Sequence, residues 1–598
     1  LKSLLLLWNR LAVESASWVN ASATFDCKTV ECRVKHEGLS FLTITLPNFG
    51  SDLQKGLDRG YVDRDLFQGF SWSGGLPKFL SGFLDHVFDR TSGVLLDTPS
   101  ETAILAVRQL TLMFGKMNLP CSDAREKAAF AGYIQCEKEM REFDKNVSEA
   151  DLSAFRSMSS LLFREAFTDI DRKIYEGDLR PKHGPGSTAD GLRGNAKFKQ
   201  RTWTERLEKY FPSGKFLFPS WSSYLDSVVH LLEPGAEIPV KVISVPKTLK
   251  TPRIIAMEPT AMQYVQQAVL REVLESLGGI DYLREFLGFT DQTPNQRMAR
   301  EGSLKGELAT LDLSEASDRV SNQLVRALVH RWPHFGEALD ATRSRKADVP
   351  GYGVIRLAKF ASMGSALCFP VEAMVFLTII FLGIQKELRT PLDRRMIKSF
   401  VGKVRVYGDD IIVPVEYAFT VVSELENFGF RVNESKSYWN GKFRESCGKD
   451  YYAGTDVSIV RCRRVFPTRR QDAQEVISLV SLRNQLYHAG WWSTVEWLDS
   501  VIGKVLPYYP YVTASSPVLG RESVFPISNS EYRPSPHHVP LVRGYVVDYR
   551  IPRNAIDGYD ALLKWFLKEG EKPFQDKNHL ERSGRPQSVY LKLGWFRE

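Results

Sequence analysis

Two adjacent aspartates, Asp409 and Asp410, stand between two β-forming runs in Val404-Arg-Val-Tyr-Gly-Asp-Asp-Ile-Ile-Val-Pro414. Gly408-Asp409 suits a tight hairpin turn, because glycine reaches positive φ without a Cβ clash. Such a turn carries both acids to an exposed tip. Neighbouring carboxylates repel, so they are kept together chiefly where a divalent cation neutralises them, and Mg²⁺ is the usual partner of carboxylates plus phosphates. Alone, the pair is also an ordinary solvated turn. A third acid lies upstream in Glu307-Leu-Ala-Thr-Leu-Asp-Leu-Ser-Glu-Ala-Ser-Asp-Arg-Val320, where a strand is expected to end at Asp312. If that strand neighbours the hairpin, Asp312 and Asp409 converge and hold two cations about 3.5–4 Å apart, an arrangement that serves in-line phosphoryl displacement. Asp410 completes the expected metal set.

Other segments offer partners for such a reaction. Lys247, Lys250 and Arg253 recur every three residues in Val245-Pro-Lys-Thr-Leu-Lys-Thr-Pro-Arg-Ile-Ile255 and would grip a triphosphate. Asp318 reads either as the N-cap of a helix over Ser317–Arg331 or as a partner for a ribose 2′-hydroxyl, with Ser317 or Ser365 nearby. Gly364-Ser365 precedes a long apolar helix and lets backbone approach a ligand. Lys436, in Phe428-Gly-Phe-Arg-Val-Asn-Glu-Ser-Lys436, is either a surface lysine or a general acid to a leaving pyrophosphate. Arg461, Arg463, Arg464, Arg469 and Arg470 suit a nucleic-acid backbone, although such runs are also commonly just solvated. There is no Walker A loop, His-Glu-x-x-His or nucleophile elbow.

These residues must be positioned by an α+β core. Strands are expected at Ile238–Val245, Glu307–Leu313, Val401–Tyr407 and Ile411–Val415, with helices at Thr260–Leu277, Ser317–Arg331 and Val371–Lys386. Residues 1–180 read as mainly helical, 181–200 as a basic glycine-rich loop, and the chain after Arg470 as helical again. A Pro- and Tyr-rich stretch from Leu506 to Pro540 and a helix over Tyr559–Glu569 follow. With 598 residues, net charge +8, 43% hydrophobic and 25% charged residues, the composition excludes a disordered or fibrous chain. The mild excess of cations matters only if gathered on one surface.

The run Met374–Ile384 is about half the ~20 residues of a membrane span, so none is expected. Asn9-Arg10 interrupts the apolar Leu4–Trp8, which points to an amphipathic first helix rather than an export signal. Seven scattered cysteines form no disulfide or zinc pattern, so a cytosolic chain is expected. A first residue of Leu points to a trimmed fragment or a non-AUG start.

In this order, the cationic segment, Asp312 with Asp318, the Gly-Ser loop and helix, the Gly-Asp-Asp hairpin and a following lysine resemble viral RNA-directed RNA polymerases. Asp312-Leu-Ser-Glu-Ala-Ser-Asp318, Asp291-Gln-Thr-Pro-Asn-Gln296, Val245-Pro-Lys247 with Glu258-Pro259, and Phe443-Arg-Glu-Ser-Cys-Gly-Lys449 are similar to the replicase catalytic subunit of positive-strand RNA bacteriophages, the levivirus type. Related capsidless RNA viruses share much of the Asp-Leu-Ser pattern. Many polymerases of the wider class have a second glycine where the loop here reads Gly364-Ser-Ala366.

The resemblance implies a right hand with an antiparallel-sheet palm and helical surroundings. Its parts would be an N-terminal region at 1–180, fingers at 181–300, palm at 301–465, and thumb with C-terminal region at 466–598. It implies two Mg²⁺ ions, an RNA template and product, ribonucleoside triphosphates, unprimed initiation and work in the cytoplasm of a bacterial host. It also implies host elongation factors Tu and Ts and the largest small-subunit ribosomal protein as partners. The alternatives are a reverse transcriptase, against which the small polar Ser314, Ser317 and Asp318 argue, and an inactive RNA-binding homologue, against which the intact acids argue.

Overall fold

The computed structural model describes residues 1–525, 532–534, 540–552, 554–569 and 587–597. Of the Pro- and Tyr-rich stretch, residues 526–531 and 535–539 lie outside the described residues. Two large apolar cores organise the rest. One gathers side chains between Leu152 and Phe430, and the other joins Leu4–Met117 to residues between Tyr438 and Tyr545. The first core is built around the helix Cys368–Leu388, whose residues from Val371 to Ile384 are all buried. A helix apolar on every side belongs in an interior, and each fully buried Leu, Ile or Phe contributes about 1.5–3 kcal/mol.

That helix is longer than the apolar run suggested. Among the described residues it is long and apolar enough to cross a membrane, yet 89% of its most apolar stretch is covered by protein. Helices Glu149–Glu176, Thr260–Gly278 and Val415–Asn427 pack round it or its neighbours, with the Phe155 ring tilted against Phe428 and Phe376 edge-on to Phe430.

A small antiparallel sheet caps this core in the order Arg405–Tyr407, Asp410–Pro414, Leu308–Leu311. A second sheet runs Gly353–Arg356, Lys346–Val349, Val240–Val245, Arg253–Met257. Most elements fall within a few residues of their sequence-based bounds, including Gly558–Lys568 for the last helix. Ser317–Arg331 does not. Glu315 takes φ +55, Ala316–Arg319 forms a 3₁₀ turn, and the α-helix spans only Asn322–Leu328. Ser321 is its N-cap, accepting from the Gln323 amide, so neither Ser317 nor Asp318 caps it. The sequence reading also missed the antiparallel ribbon of Pro540–Arg550 with Ser588–Arg597, whose partner strands lie about forty residues apart.

Candidate active site

The hairpin forms as its local sequence dictates. Tyr407 pairs with Asp410, leaving Gly408 and Asp409 at the tip, and Gly408 takes φ +61. Glycine is doubly required there, because a Cβ would also collide with the Phe369 ring. Phe369 in turn lies edge-on to Tyr407, with ring centroids 5.4 Å apart. On the other side of the sheet Ile411 pairs with Leu311, so one further step of the register sets Asp312 across from Asp410.

The hairpin is also held from outside. The Asn295 side chain accepts from Arg405 Nε at 2.9 Å, Arg405 also bonds the Glu285 carbonyl, and Gln296 Nε2 donates to the Cys447 carbonyl at 3.1 Å. The Asp291–Gln296 motif therefore serves as a brace. Cys447, at φ +50 in the turn between strands Phe443–Ser446 and Lys449–Tyr452, hydrogen-bonds Asp410 through its backbone.

The three acids are crowded. Burial pushes Asp410 up to about 6, with Asp409 and then Asp312 adding to the rise. Burial also raises Asp312, Lys436 opposes that rise, and Asp409 reinforces it. Lys436 Nζ lies 3.5 Å from Asp312 Oδ2, and Asn433 Nδ2 donates to the same oxygen at 2.8 Å. The Asp312 amide donates to Ser437 Oγ at 3.1 Å. Asn433 and Ser437 were not foreseen, although they flank Lys436 in the chain. Among the described residues no three acid side chains close round one point as a ready cation cage. The donor set nonetheless suits a hard cation, since Asp409 adds to the rise of both Asp312 and Asp410, and Lys436 and Lys247 now face the acids.

Lys247, Lys250 and Arg253 do not stand in register along one strand. Lys247 and Lys250 lie on the loop that joins Val240–Val245 to Arg253–Met257, and Arg253 opens the second strand, paired to Val245. Lys250 is exposed. Lys247 opens onto the cleft yet is crowded by surrounding protein. That crowding, then Lys436 and Arg253, pushes its ammonium down, while Asp409 and Asp312 pull it up. The loop is tied to the N-terminal region, because Arg125 Nη1 donates to the Leu249 carbonyl at 2.7 Å and Cys121 Sγ to that of Thr248 at 3.0 Å.

Ser317 and Asp318 bond to residues on either side of the Gly-Ser loop, Glu372 and Lys359. Gly364 takes φ +131 against the Ala256 carbonyl, where any Cβ would clash. Ser365 Oγ bonds Gln266 Oε1 at 3.1 Å. Ser317 Oγ donates to Glu372 Oε2 at 2.5 Å. Burial pushes Glu372 up to about 8; the Ser317 hydrogen bond opposes this, and Asp409 and Asp318 add to it. Lys359, wholly buried, reaches Asp318 Oδ1 at 2.9 Å. Neither Glu372 nor Lys359 was singled out in the sequence, since a glutamate in an apolar helix and a lysine before a glycine loop carry no pattern.

The arginine run is mostly engaged already. Arg464 pairs with Glu475, Arg469 with Asp472, Arg470 with the Tyr545 hydroxyl, and Arg461 with the Leu112 carbonyl.

Comparison with known proteins shows the family of the chain that carries this site. Residues 237–513 match the family model described as RNA replicase, beta-chain, and that span contains every site residue the sequence pointed to. The RNA-directed RNA polymerase subunit beta of Enterobacteria phage SP is 31% identical over 453 residues, 73% of this chain and 71% of that one. The chain belongs to the RNA replicase beta-chain family.

Shorter matches join it to other replicase beta-chains. The subunit beta of Qbeta virus (strain MX1) is 35% identical over 48% of this chain, and the beta chain of Escherichia phage MS2 is 37% identical over 36%. These two alignments span less than half of each relative, 44% and 36% of their lengths. Among solved structures, the BmCPV RNA-dependent RNA polymerase at quiescent state is matched over 91% of this chain and 53% of its own, at 10% identity and a TM-score of 0.41.

Proposed function

We propose that this chain is an RNA-directed RNA polymerase, the catalytic subunit of an RNA phage replicase, adding ribonucleotides to RNA 3′-ends. The observation that carries the reading is the register that sets Asp312 across from Asp410, one residue from Asp409, with Lys247 and Lys436 facing them. We read 301–465 as palm, 181–300 as fingers, 466–598 as thumb with the C-terminal region, and 1–180 as an N-terminal region. Asp312, Asp409 and Asp410 would hold two Mg²⁺, which when bound supply Lewis-acid stabilisation of the attacking and leaving oxygens.

The chain's own residues supply the rest. Lys247, assisted by Lys250 and Arg253, binds the triphosphate and balances its charge. Lys436 moves from Asp312 to the leaving pyrophosphate and gives it a proton: burial alone would lower its pKa, but at rest Asp312, Glu445 and Asp409 outweigh burial and keep it protonated, and leaving Asp312 removes the largest of those influences and makes it a readier donor. Asp318 accepts from the ribose 2′-hydroxyl, with Ser317 setting its neighbourhood, while Gly364 and Ser365 border the sugar. RNA template and product, ribonucleoside triphosphates and a bacterial cytoplasm follow from this reading. The relatives' names include "subunit beta", which supports assembly with other subunits. Host elongation factors Tu and Ts and the largest small-subunit ribosomal protein are the partners we propose.

The test incubates the purified chain with a short RNA template and labelled ribonucleoside triphosphates, with and without Mg²⁺ and bacterial extract, beside Asp409→Asn. Mg²⁺-dependent, template-length RNA that disappears in the variant supports the reading. RNA binding with no product under any of these conditions, and no difference between wild type and variant, overturns it.

A further inference from the structure

Lys359 is buried without trace of solvent exposure, and it is surrounded by an unusual set of groups. Its Nζ lies 2.9 Å from Asp318 Oδ1, 3.4 Å from Glu137 Oε1 and 3.5 Å from the centroid of the Tyr133 ring. Glu137 and Tyr133 belong to the helix Asp123–Asn146, which crosses from the N-terminal region. Both are fixed in turn, Glu137 Oε2 by the Ala358 amide at 2.7 Å and the Tyr133 hydroxyl by Ser362 Oγ at 2.9 Å. Burial works against the ammonium charge, but Asp318, Tyr133 and Glu137 more than offset it, so the lysine stays protonated.

The consequence falls on Asp318. Its side chain is 24% exposed, whereas Lys359 is not exposed at all. One carboxylate oxygen is bound by the lysine, and the other has no hydrogen-bond donor among the described residues. Without the lysine, Glu137 and Asp318 would confront each other as like charges in a site of low polarisability.

We propose that Lys359 is the positioning residue for ribose recognition: it clamps one oxygen of Asp318 from beneath, so that the other is held towards the cleft to accept the 2′-hydroxyl of the incoming nucleotide. This rests on the polymerase reading above and adds to it the device that sets sugar choice. The lysine touches neither substrate nor reacting atoms. It acts through the direction in which Asp318 is held, and a hydrogen bond to a carboxylate acceptor is worth about a tenfold preference or more.

The test measures kcat/KM for one ribonucleotide and its 2′-deoxy analogue opposite the same template base. Lys359→Met would leave the buried Glu137 and the partly exposed Asp318 as unpaired carboxylates beside each other, so the informative variant is Lys359→Met combined with Glu137→Gln, which keeps the net charge of the cluster unchanged. Its preference for the ribonucleotide should fall about tenfold or more, chiefly through a higher ribonucleotide KM, with kcat/KM for the deoxynucleotide within about twofold of wild type. Asp318→Asn, with the lysine intact and the changed side chain partly exposed, should lose the same preference, and the triple variant should lose no more. An unchanged preference in either the double variant or Asp318→Asn overturns the proposal. So does a parallel fall for both sugars, the signature of a scaffold. Failure of the wild-type chain to make any Mg²⁺-dependent RNA would instead overturn the polymerase reading, and this inference with it.

Discussion

Lys436 Nζ stands 3.5 Å from Asp312 Oδ2, so the lysine expected to serve the leaving group rests on the first carboxylate of the site. Asn433 shares that oxygen, and the lysine is half exposed where it reaches the partly buried carboxylate. On the proposed reading a proton donor is thus parked on a metal-binding acid, and substrate charge is what would separate them.

Removing either partner should therefore affect turnover unequally. Asp312→Asn should lower template-directed incorporation by about 10³-fold, the several kcal/mol that a metal-binding acid carries. Lys436→Met should cost about 10²-fold, mainly in kcat. Single-turnover incorporation at saturating nucleotide measures both, and a loss under about tenfold for Asp312→Asn would remove it from the metal set.

Gly408→Ala places a Cβ against Phe369 at a φ of +61. The strain should destabilise the chain by about 1–3 kcal/mol and abolish incorporation, because the turn carries Asp409. Thermal unfolding and activity of Gly408→Ala, compared with Gly408→Ala combined with Phe369→Leu, separate the φ penalty from the collision. The double variant should regain part of the stability but little activity.

The brace behind the hairpin predicts a different pattern. Asn295→Ala leaves the buried Arg405 guanidinium one acceptor short, at a cost of about 1–3 kcal/mol. Since the hairpin would loosen while the Lys247 loop stays in place, kcat should fall more than nucleotide affinity. Denaturant unfolding and steady-state kinetics of this one variant check both statements.

Glu372 provides a pH dependence with a definite sign. Burial raises its pKa from about 4.5 to about 8, so the folded chain keeps a proton that the unfolded chain releases. Stability should fall as pH rises from about 4.5 to about 8 and change no further beyond it. Glu372→Gln should match wild type near pH 4.5 and be more stable by at least about 1 kcal/mol above pH 8. Unfolding midpoints across that range give the comparison, and a constant difference between the two proteins would contradict it.

Much of the site was legible because its signals are local. Gly408-Asp409 is a turn that backbone sterics alone dictate, and it appears at its expected residues. The apolar run after Ser365 announces an interior helix, which it is. The segment from Glu315 to Leu328 misled for an equally local reason: a periodic apolar pattern reads as one helix, whereas Glu315 at φ +55 and the Ser321 cap divide it. Lys247, Lys250 and Arg253 look evenly spaced in an extended segment, but the two prolines that stiffen it also end the flanking strands and leave a loop.

By itself, then, the sequence determined which residues carry charge, where the chain must turn, which helix must be buried, and the family to which the chain belongs. Each of these depends on neighbours within a few positions or on the order of motifs. Only the tertiary structure decided that Asp312 faces Asp410, since that pairing spans nearly a hundred residues and rests on strand register. It alone set Lys359 between Asp318 and Glu137, and committed most of the arginine run to partners within the chain. Charges and hydrogen bonds act through space over a few ångströms, and packing, not chain order, decides which groups come that close.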